Sequence, residues 1–150
     1  MKISTKGRYG LRAMVDLAVH EHSGAIPLRE ISERQGISEQ YLEQLFASLR
    51  KSGIVKSVRG AHGGYLLNHK PEDITVKDIL ATLEGPLAPV DCVLSKDARE
   101  ECESRDGCVT FDLWVKVKTN IDELLDSVTL AELKKQYKDN KSDTDFIYHI

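Results

Sequence analysis

Three cysteines lie close together in the chain, in the spacing Cys92-x9-Cys102-x5-Cys108. Zinc sites usually contain closely spaced pairs of cysteines, because one tight turn supplies two ligands. Iron–sulfur clusters accept ligands from looser loops, and histidine can replace cysteine in their ligand set. The spacing therefore favours a cluster and leaves a zinc site, redox-active thiols and cysteines without a function as alternatives.

A thiol redox enzyme is the less favoured interpretation. The chain has no C-x-x-C pair, no evident Ser/His/Asp set and no glycine-rich phosphate loop. Acidic neighbours are expected to raise the pKa of a thiol and so to disfavour the reactive thiolate. Those neighbours are Asp91, Glu100, Glu101, Glu103 and Asp106. We expect a binding protein and not an enzyme.

Composition indicates a globular protein of the cytoplasm. The 150 residues are 41% hydrophobic and 30% charged, and no stretch approaches the roughly 20 apolar residues of a membrane span. No apolar segment follows the lysines at the N-terminus, so we expect neither secretion nor membrane insertion. In a reducing compartment an odd number of cysteines argues against a structural disulfide.

The elements before the cysteines predict a helix-turn-helix. Apolar spacing predicts a first helix over residues 7–22 and two further helices between Pro27 and Gly53. Gly36 allows the turn between these two, and Ser38 can cap the second. The outward side chains of that second helix are suited to base edges and phosphates, although a solvated helix face is an equal alternative. They are Ser38, Glu39, Gln40, Tyr41, Gln44, Ser48 and Lys51.

A hairpin after the second helix favours DNA binding. Residues 54–68 contain two short β-type runs joined by a glycine-rich turn that carries Arg59 and His62. Such a hairpin is a wing, whose arginine could enter a minor groove. Residues 1–70 carry eleven Lys/Arg against six Asp/Glu, which adds a basic potential. We therefore predict a double-stranded DNA operator as the partner.

The predicted fold is mainly α with a small β-hairpin wing, followed by a long dimerisation helix. Trp114, Val117, Ile121, Leu124 and Val128 recur at spacings of three and four, which predicts a seam for a homodimer. The expected organisation is a DNA-binding domain, a linker with the cysteine loop, the dimerisation helix with a short C-terminal helix, and a flexible tail. These cover residues 1–85, 86–108, 109–137 and 138–150.

Four segments carry a resemblance to a known family. They are MKISTKGRY at the start, ISERQGIS-x2-YLEQLF in the helix-turn-helix, RG-x2-GGYLL in the wing and T-x-D-L-W after the third cysteine. Over about residues 1–135 the chain resembles the winged-helix iron–sulfur cluster regulators typified by IscR. The resemblance implies a dimeric bacterial transcription regulator, with one 2Fe-2S cluster per subunit, that controls cluster-biogenesis genes.

The resemblance also implies roles for individual residues. Cys92, Cys102 and Cys108 match the three thiolate ligands, and Arg59 matches a minor-groove contact of the wing. Glu43 matches a glutamate that disfavours one class of operator in the cluster-free form. Major-groove contacts are matched by Ser38, Gln40, Tyr41 and Gln44.

The fourth cluster ligand departs from the family. Where the family has histidine after the third cysteine, this chain has Phe111, which cannot bind iron. Some relatives take a ligand from the partner's first helix, but the equivalent positions here, Arg8 and Arg12, cannot ligate either. The remaining candidates are one of the five histidines, an exogenous ligand or a loop carboxylate, namely Asp91, Glu101, Glu103 or Asp106.

A cluster-free relative gives an alternative function. The cysteine-metabolism repressors of the CymR type share the DNA-binding half. The last residues here, Phe146–Ile150, resemble the short apolar tails that enter the active site of cysteine synthase. The simpler interpretation of this tail is that it packs on its own dimer.

Overall fold

The structure, a computed structural model, describes the backbone of residues 1–149 and the side chains of residues 1–144. The predicted tail side chains, Phe146–Ile150, lie outside the described side chains. The elements in chain order are helices α1 (Thr5–Val19), α2 (Leu28–Gln35) and α3 (Glu39–Lys51), strands β1 (Val55–Val58) and β2 (Gly64–Leu67), then helices α4 (Val76–Glu84), α5 (Lys96–Glu100), α6 (Phe111–Ser127) and α7 (Leu130–His149). The mainly helical fold with a hairpin wing is confirmed.

The helix-turn-helix forms for the predicted reasons. Gly36 follows α2 in the left-handed conformation, with φ of 67°, which glycine adopts without steric cost. The Ser38 side chain then accepts a hydrogen bond from the Tyr41 amide and caps α3. The inner face of α3 is buried against α1 and α4, and Phe46 and Leu42 lie fully inside the core. This burial leaves the opposite face of α3 at the surface.

The wing is attached to the core through a connection that the sequence did not predict. β1 and β2 pair antiparallel from Val55 opposite Leu67 to Val58 opposite Gly64. Tyr65 also exchanges two backbone hydrogen bonds of 2.9 Å with Ile26, so the segment before α2 forms an isolated antiparallel bridge to β2. The Tyr65 ring meets Phe46 of α3 edge-on, with centroids 4.9 Å apart. The wing and α3 are therefore held in one unit.

A buried carboxylate joins α1 to α2. The Asp16 side chain is 0% exposed. Its carboxylate accepts hydrogen bonds from the Arg34 guanidinium, from Nη2 at 2.8 Å and from Nε at 3.0 Å. Gln35 donates a further hydrogen bond of 3.0 Å to the same carboxylate. Because of the hydrogen bond to Asp16, and despite partial burial, the pKa of Arg34 is raised above its ordinary value. The pair is a charge-assisted, two-point contact that fixes the angle of α2.

Two glycines allow α1 and α4 to approach closely. A Cβ atom at Gly10 would overlap the Leu83 side chain, and one at Gly7 would lie 2.5 Å from Oε1 of Glu84. The overlap at Gly10 is with a side chain that is itself buried in the core cluster, that of Leu83, whereas a side chain at Gly7 would displace the Glu84 carboxylate from its hydrogen bonds. The absent side chains at these positions therefore set the distance between the two helices.

The C-terminal part differs from the expected organisation. Instead of a short helix and a flexible tail over residues 138–150, α7 is one 20-residue helix. Its start is tied to the core, because Leu130 is fully buried and donates a backbone hydrogen bond of 2.8 Å to Ile74. Lys134 also pairs with Glu21 at 2.8 Å. These contacts anchor the first turns of α7, and the helix continues from that anchored start.

The buried pair generates a prediction for stability. Replacing Arg34 by alanine leaves the Asp16 carboxylate buried without its countercharge, so we expect the free energy of unfolding to fall by about 3 kcal/mol. Arg29→Ala is the matched control, since Arg29 and Glu33 are 72% and 71% exposed, and we expect a loss below about 0.5 kcal/mol. Urea denaturation at one fixed protein concentration measures both. Equal losses for the two variants would contradict a stabilising role of the Asp16–Arg34 contact.

Candidate nucleic-acid interface and cysteine segment

The exposed face of α3 presents hydrogen-bonding side chains in consecutive turns. Gln40, Glu43, Gln44, Ser48 and Lys51 are all exposed. The Ser48 hydroxyl donates to the Gln44 carbonyl at 3.4 Å, which leaves the hydroxyl oxygen free to accept. Side chains four residues apart lie on the same side of a helix, so three of these residues share one stripe. This stripe can meet base edges, while Lys51 at the C-terminal end suits a phosphate.

Two predicted contact residues have structural roles as well. Ser38 is exposed, but its hydroxyl oxygen accepts from the Tyr41 amide at 3.2 Å. Tyr41 is half-buried, its hydroxyl lies 3.1 Å from Oγ1 of Thr5, and its ring meets Tyr9 edge-on at 6.2 Å. Tyr41 therefore connects the start of α3 to the N-terminal turn of α1.

The wing tip presents Arg59 and His62 at the surface. Gly63 donates a backbone hydrogen bond of 3.0 Å to Gly60, and a Cβ at Gly63 would overlap the Val58 carbonyl. Gly60 has φ of 110°, which other residues rarely adopt. The turn is consequently narrow. Among the residues with described side chains, Arg59 forms no ion pair, so its charge is available to a ligand.

Glu84 holds the start of α1, a contact that sequence reasoning missed. Its Oε1 accepts hydrogen bonds from the Ser4 amide at 2.8 Å, from the Gly7 amide at 2.9 Å and from the Ser4 hydroxyl. Partial burial opposes ionisation, but these bonds and the charge of Lys6 lower the pKa of Glu84 below its ordinary value. The only sequence signal was the pair Gly7-x2-Gly10, which indicates a close helix contact.

The cysteine segment is built from short turns at the surface. Cys92 lies in a single 3-10 turn over Asp91–Val93, Cys102 follows α5, and Cys108 precedes α6. The first two are half-buried and the third is exposed. Phe111, at the position of the family's histidine, is covered by the Arg99 guanidinium at 3.8 Å from the ring centroid. This cation–π contact links α5 to the start of α6.

The described conformation does not assemble a metal site. Over the part of the chain with described side chains, no group of three or more His, Cys, Asp or Glu could hold a metal ion. The three cysteines and the candidate fourth ligands, Asp91, Glu101, Glu103 and Asp106, are therefore not brought together. The donor types suit a cluster, but among the described side chains they do not form a ready set of ligands.

The expectation of raised thiol pKa values is wrong for Cys108. Hydrogen bonds from the Thr110 side chain and then from its backbone amide lower the pKa of this thiol below its ordinary value, and the Phe111 amide and the Arg99 charge add to the effect. Donors at the start of α6 outweigh the acidic neighbours, because the nearest carboxylate in the chain, that of Asp106, is 97% exposed to solvent.

The chain is similar to known transcriptional regulators. Residues 3–136 match the family model of Rrf2, described as an iron-dependent transcriptional regulator. CymR of Bacillus subtilis, named as an HTH-type transcriptional regulator, is 40% identical over 148 residues, and these cover 99% of this chain and 99% of that protein. IscR of Erwinia tasmaniensis, named in the same way, is 44% identical over 133 residues, which cover 89% of this chain and 78% of that protein.

Solved structures agree with these sequence matches. The structure of CymR, the global cysteine regulator of B. subtilis, has a TM-score of 0.77 and 42% identity, and the match covers 91% of this chain and 98% of that one. T. potens IscR has a TM-score of 0.74 and 50% identity, with 91% and 88% covered. The relatives are named as regulators and not as enzymes. Among the described residues no helix is both long and apolar enough to cross a membrane.

Proposed function

The chain belongs to the Rrf2 family of transcriptional regulators, and from this premise we propose that it binds double-stranded operator DNA as a homodimer. The observation that carries the proposal is the exposed stripe of α3 beside the wing tip with Arg59. The 13 residues of α3 extend over about 20 Å. A helix of this length fits the major groove, where glutamine amides can pair with adenine.

The wing supports the same arrangement. Its connections through Ile26 and Phe46 hold the tip at a constant distance from α3. When α3 lies in a major groove, the narrow tip reaches the neighbouring minor groove, where a free arginine is attracted by the negative potential. Glu43 stands on the α3 surface as a carboxylate, which accepts from cytosine and repels phosphate. The arrangement therefore offers both recognition and exclusion of sequences.

Arg59→Ala tests the interface. Because Arg59 is exposed, we expect folding to be unchanged and the affinity for a duplex selected by the wild-type protein from a random-sequence pool to fall about tenfold or more at fixed salt. Lys135→Ala removes an exposed positive charge from α7 and serves as the control. Fluorescence anisotropy measures the affinities, and equal affinity for the Arg59 variant and the control would exclude the wing contact.

The homodimer is proposed on the basis of α6. None of its 17 residues is buried in the single chain. Leu113 and Leu124 are 51% and 63% exposed, and with Val117 they lie on a face that points away from α4, at about 100° per residue. An amphipathic helix with an uncovered apolar face gains stability by pairing with a copy of itself. Two copies would also provide two DNA half-sites.

Leu124→Asp tests this face. A carboxylate in a paired apolar seam is costly, so we expect the variant to sediment as a monomer in analytical ultracentrifugation. Thr119→Asp introduces the same charge at an exposed position about 140° round the helix, and we expect it to stay dimeric. A dimeric Leu124 variant would place the interface elsewhere.

For the signal, we propose that Cys92, Cys102 and Cys108 bind a 2Fe-2S cluster and that the protein reports cluster supply to cluster-biogenesis genes. The support is the three thiols within one surface segment, the family description and the similarity to IscR. A bound cluster supplies redox and iron-dependent chemistry to the segment. The residues themselves would provide three thiolates, while Asp91, Glu101, Glu103 or Asp106 would complete the set. Binding and refolding would be coupled.

A second candidate is a cluster-free regulator of cysteine metabolism. The observation that favours it is Phe111, which occupies the expected ligand position and is held there by Arg99. The similarity to B. subtilis CymR, a global cysteine regulator, extends along almost the whole chain. This candidate includes cysteine synthase as a partner of the tail Phe146–Ile150, whose side chains lie outside the described ones.

Anaerobic purification separates the two candidates. If the cluster is bound, the protein is coloured and gives an EPR signal after reduction, and Cys102→Ser loses both. Phe111→His restores the family's ligand, so we expect it to slow cluster loss in air. Colourless protein that still binds the selected duplex would support the second candidate, and stoichiometric zinc would exclude the cluster.

A further inference from the structure

Glu84 lies outside the surface that we propose for DNA, yet it is connected to that surface by short contacts. We propose that Glu84 is a positioning residue for the recognition helix: from the end of α4 it fixes the N-terminal turn of α1, which in turn holds Tyr41. The proposal rests on the proposed DNA-binding function. It adds the connection through which the segment after α4 influences DNA recognition.

The first step is the capture of the α1 N-terminus. The Glu84 carboxylate accepts from two backbone amides, of Ser4 at 2.8 Å and of Gly7 at 2.9 Å, and from the Ser4 hydroxyl. Amides of a first helical turn have no partner within their own helix, so an outside carboxylate satisfies them and complements the helix dipole. The contact joins residues 80 positions apart in the chain. It is therefore a tertiary connection and not a local cap.

The second step runs from α1 to the recognition helix. Thr5, the first residue of α1, has its Oγ1 3.1 Å from the Tyr41 hydroxyl. One turn later, the Tyr9 ring meets the Tyr41 ring edge-on. Tyr41 belongs to the first turn of α3, next to Gln40, and its amide donates to the Ser38 cap. The orientation of the α3 start thus depends on where the α1 start is held.

The third step is the close packing of α1 against α4. Leu83 occupies the space opposite Gly10, and the Glu84 side chain occupies the space opposite Gly7. These two adjacent residues of α4 meet α1 at two glycines one turn apart. A sliding or rotation of α4 would bring the Leu83 side chain against α1, so movement is transmitted and not absorbed.

The position of Glu84 gives this contact its regulatory meaning. Glu84 is the last residue of α4, and Gly85 with φ of 79° turns the chain away towards Pro86 and the cysteine segment. The covalent connection from that segment therefore enters α4 next to Glu84. All three donors to Glu84 are satisfied by one carboxylate oxygen, and they hold its pKa below the ordinary value, so a change from carboxylate to amide tests this contact.

Glu84→Gln tests the proposal, with Glu72→Gln as the matched control because Glu72 is exposed on the surface. We measure affinity for the selected duplex and for a random duplex at a temperature where circular dichroism shows each variant folded. We expect Glu84→Gln to weaken selected-duplex binding about fivefold to tenfold, with random-duplex binding and the control unchanged. Ser4→Ala removes one donor to Glu84 together with the hydroxyl that accepts from the Lys6 amide and caps α1; a smaller loss is expected, and this variant carries the test if the first one does not fold.

A double-variant cycle with Thr5→Val separates positioning from general destabilisation. If Glu84 acts through Thr5 and Tyr41, the protein with both Glu84→Gln and Thr5→Val has the same affinity for the selected duplex as the single variant with the lower affinity. Losses that multiply, or a Glu84→Gln protein that binds like the wild type, overturn the proposal. Gln40→Ala is included as an interface variant: if it also has no effect, the proposed DNA contact has failed, whereas an effect there alone rejects only the role of Glu84.

Discussion

The pairing of Asp16 with Arg34 is the constraint on which the DNA-binding half depends. A fully buried carboxylate is tolerated only with a countercharge and complete hydrogen bonding, and here α2 supplies both. Because α2 is held at this angle, the short turn at Gly36 determines where α3 begins. The wing follows α3 through the Tyr65–Phe46 contact. The contact between Asp16 and Arg34 therefore fixes the angle of α2, from which α3 and the wing follow.

The cysteine segment is held in a different way. Its short helical turns bury no complete side chain, and its contacts are single ones, such as Arg99 on Phe111 and the 2.7 Å bond from Arg105 to the Glu100 carbonyl. Segments with few buried apolar contacts open at low cost in free energy. The molecule thus combines a firmly packed DNA-binding half with a cysteine segment that opens more easily. The end of α4 lies between the two.

Local signals in the sequence predicted the elements well, and long-range contacts escaped it. Gly36 and Ser38 act as expected, because caps and turns depend on neighbouring residues. Glu84 and the Ile26–Tyr65 pairing depend on residues about 40 to 80 positions apart, which no periodicity reveals. The polar residues 138–145 predicted disorder, but they continue a helix whose start is anchored by Leu130. The cysteines were found by their type, while their separation in space could not be inferred from spacing.

The capture of Ser4 by Glu84 also has a consequence for biosynthesis. α1 precedes α4 in the chain, so the carboxylate that satisfies its free amides is made 80 residues after Ser4. Contacts between such distant residues form late, because the intervening chain must first lose its freedom. A nascent chain that ends before Glu84 would contain α3, but the first turn of α1 would lack its contact with the Glu84 carboxylate. The DNA-binding half is therefore completed only when translation has reached the residues just before the cysteine segment.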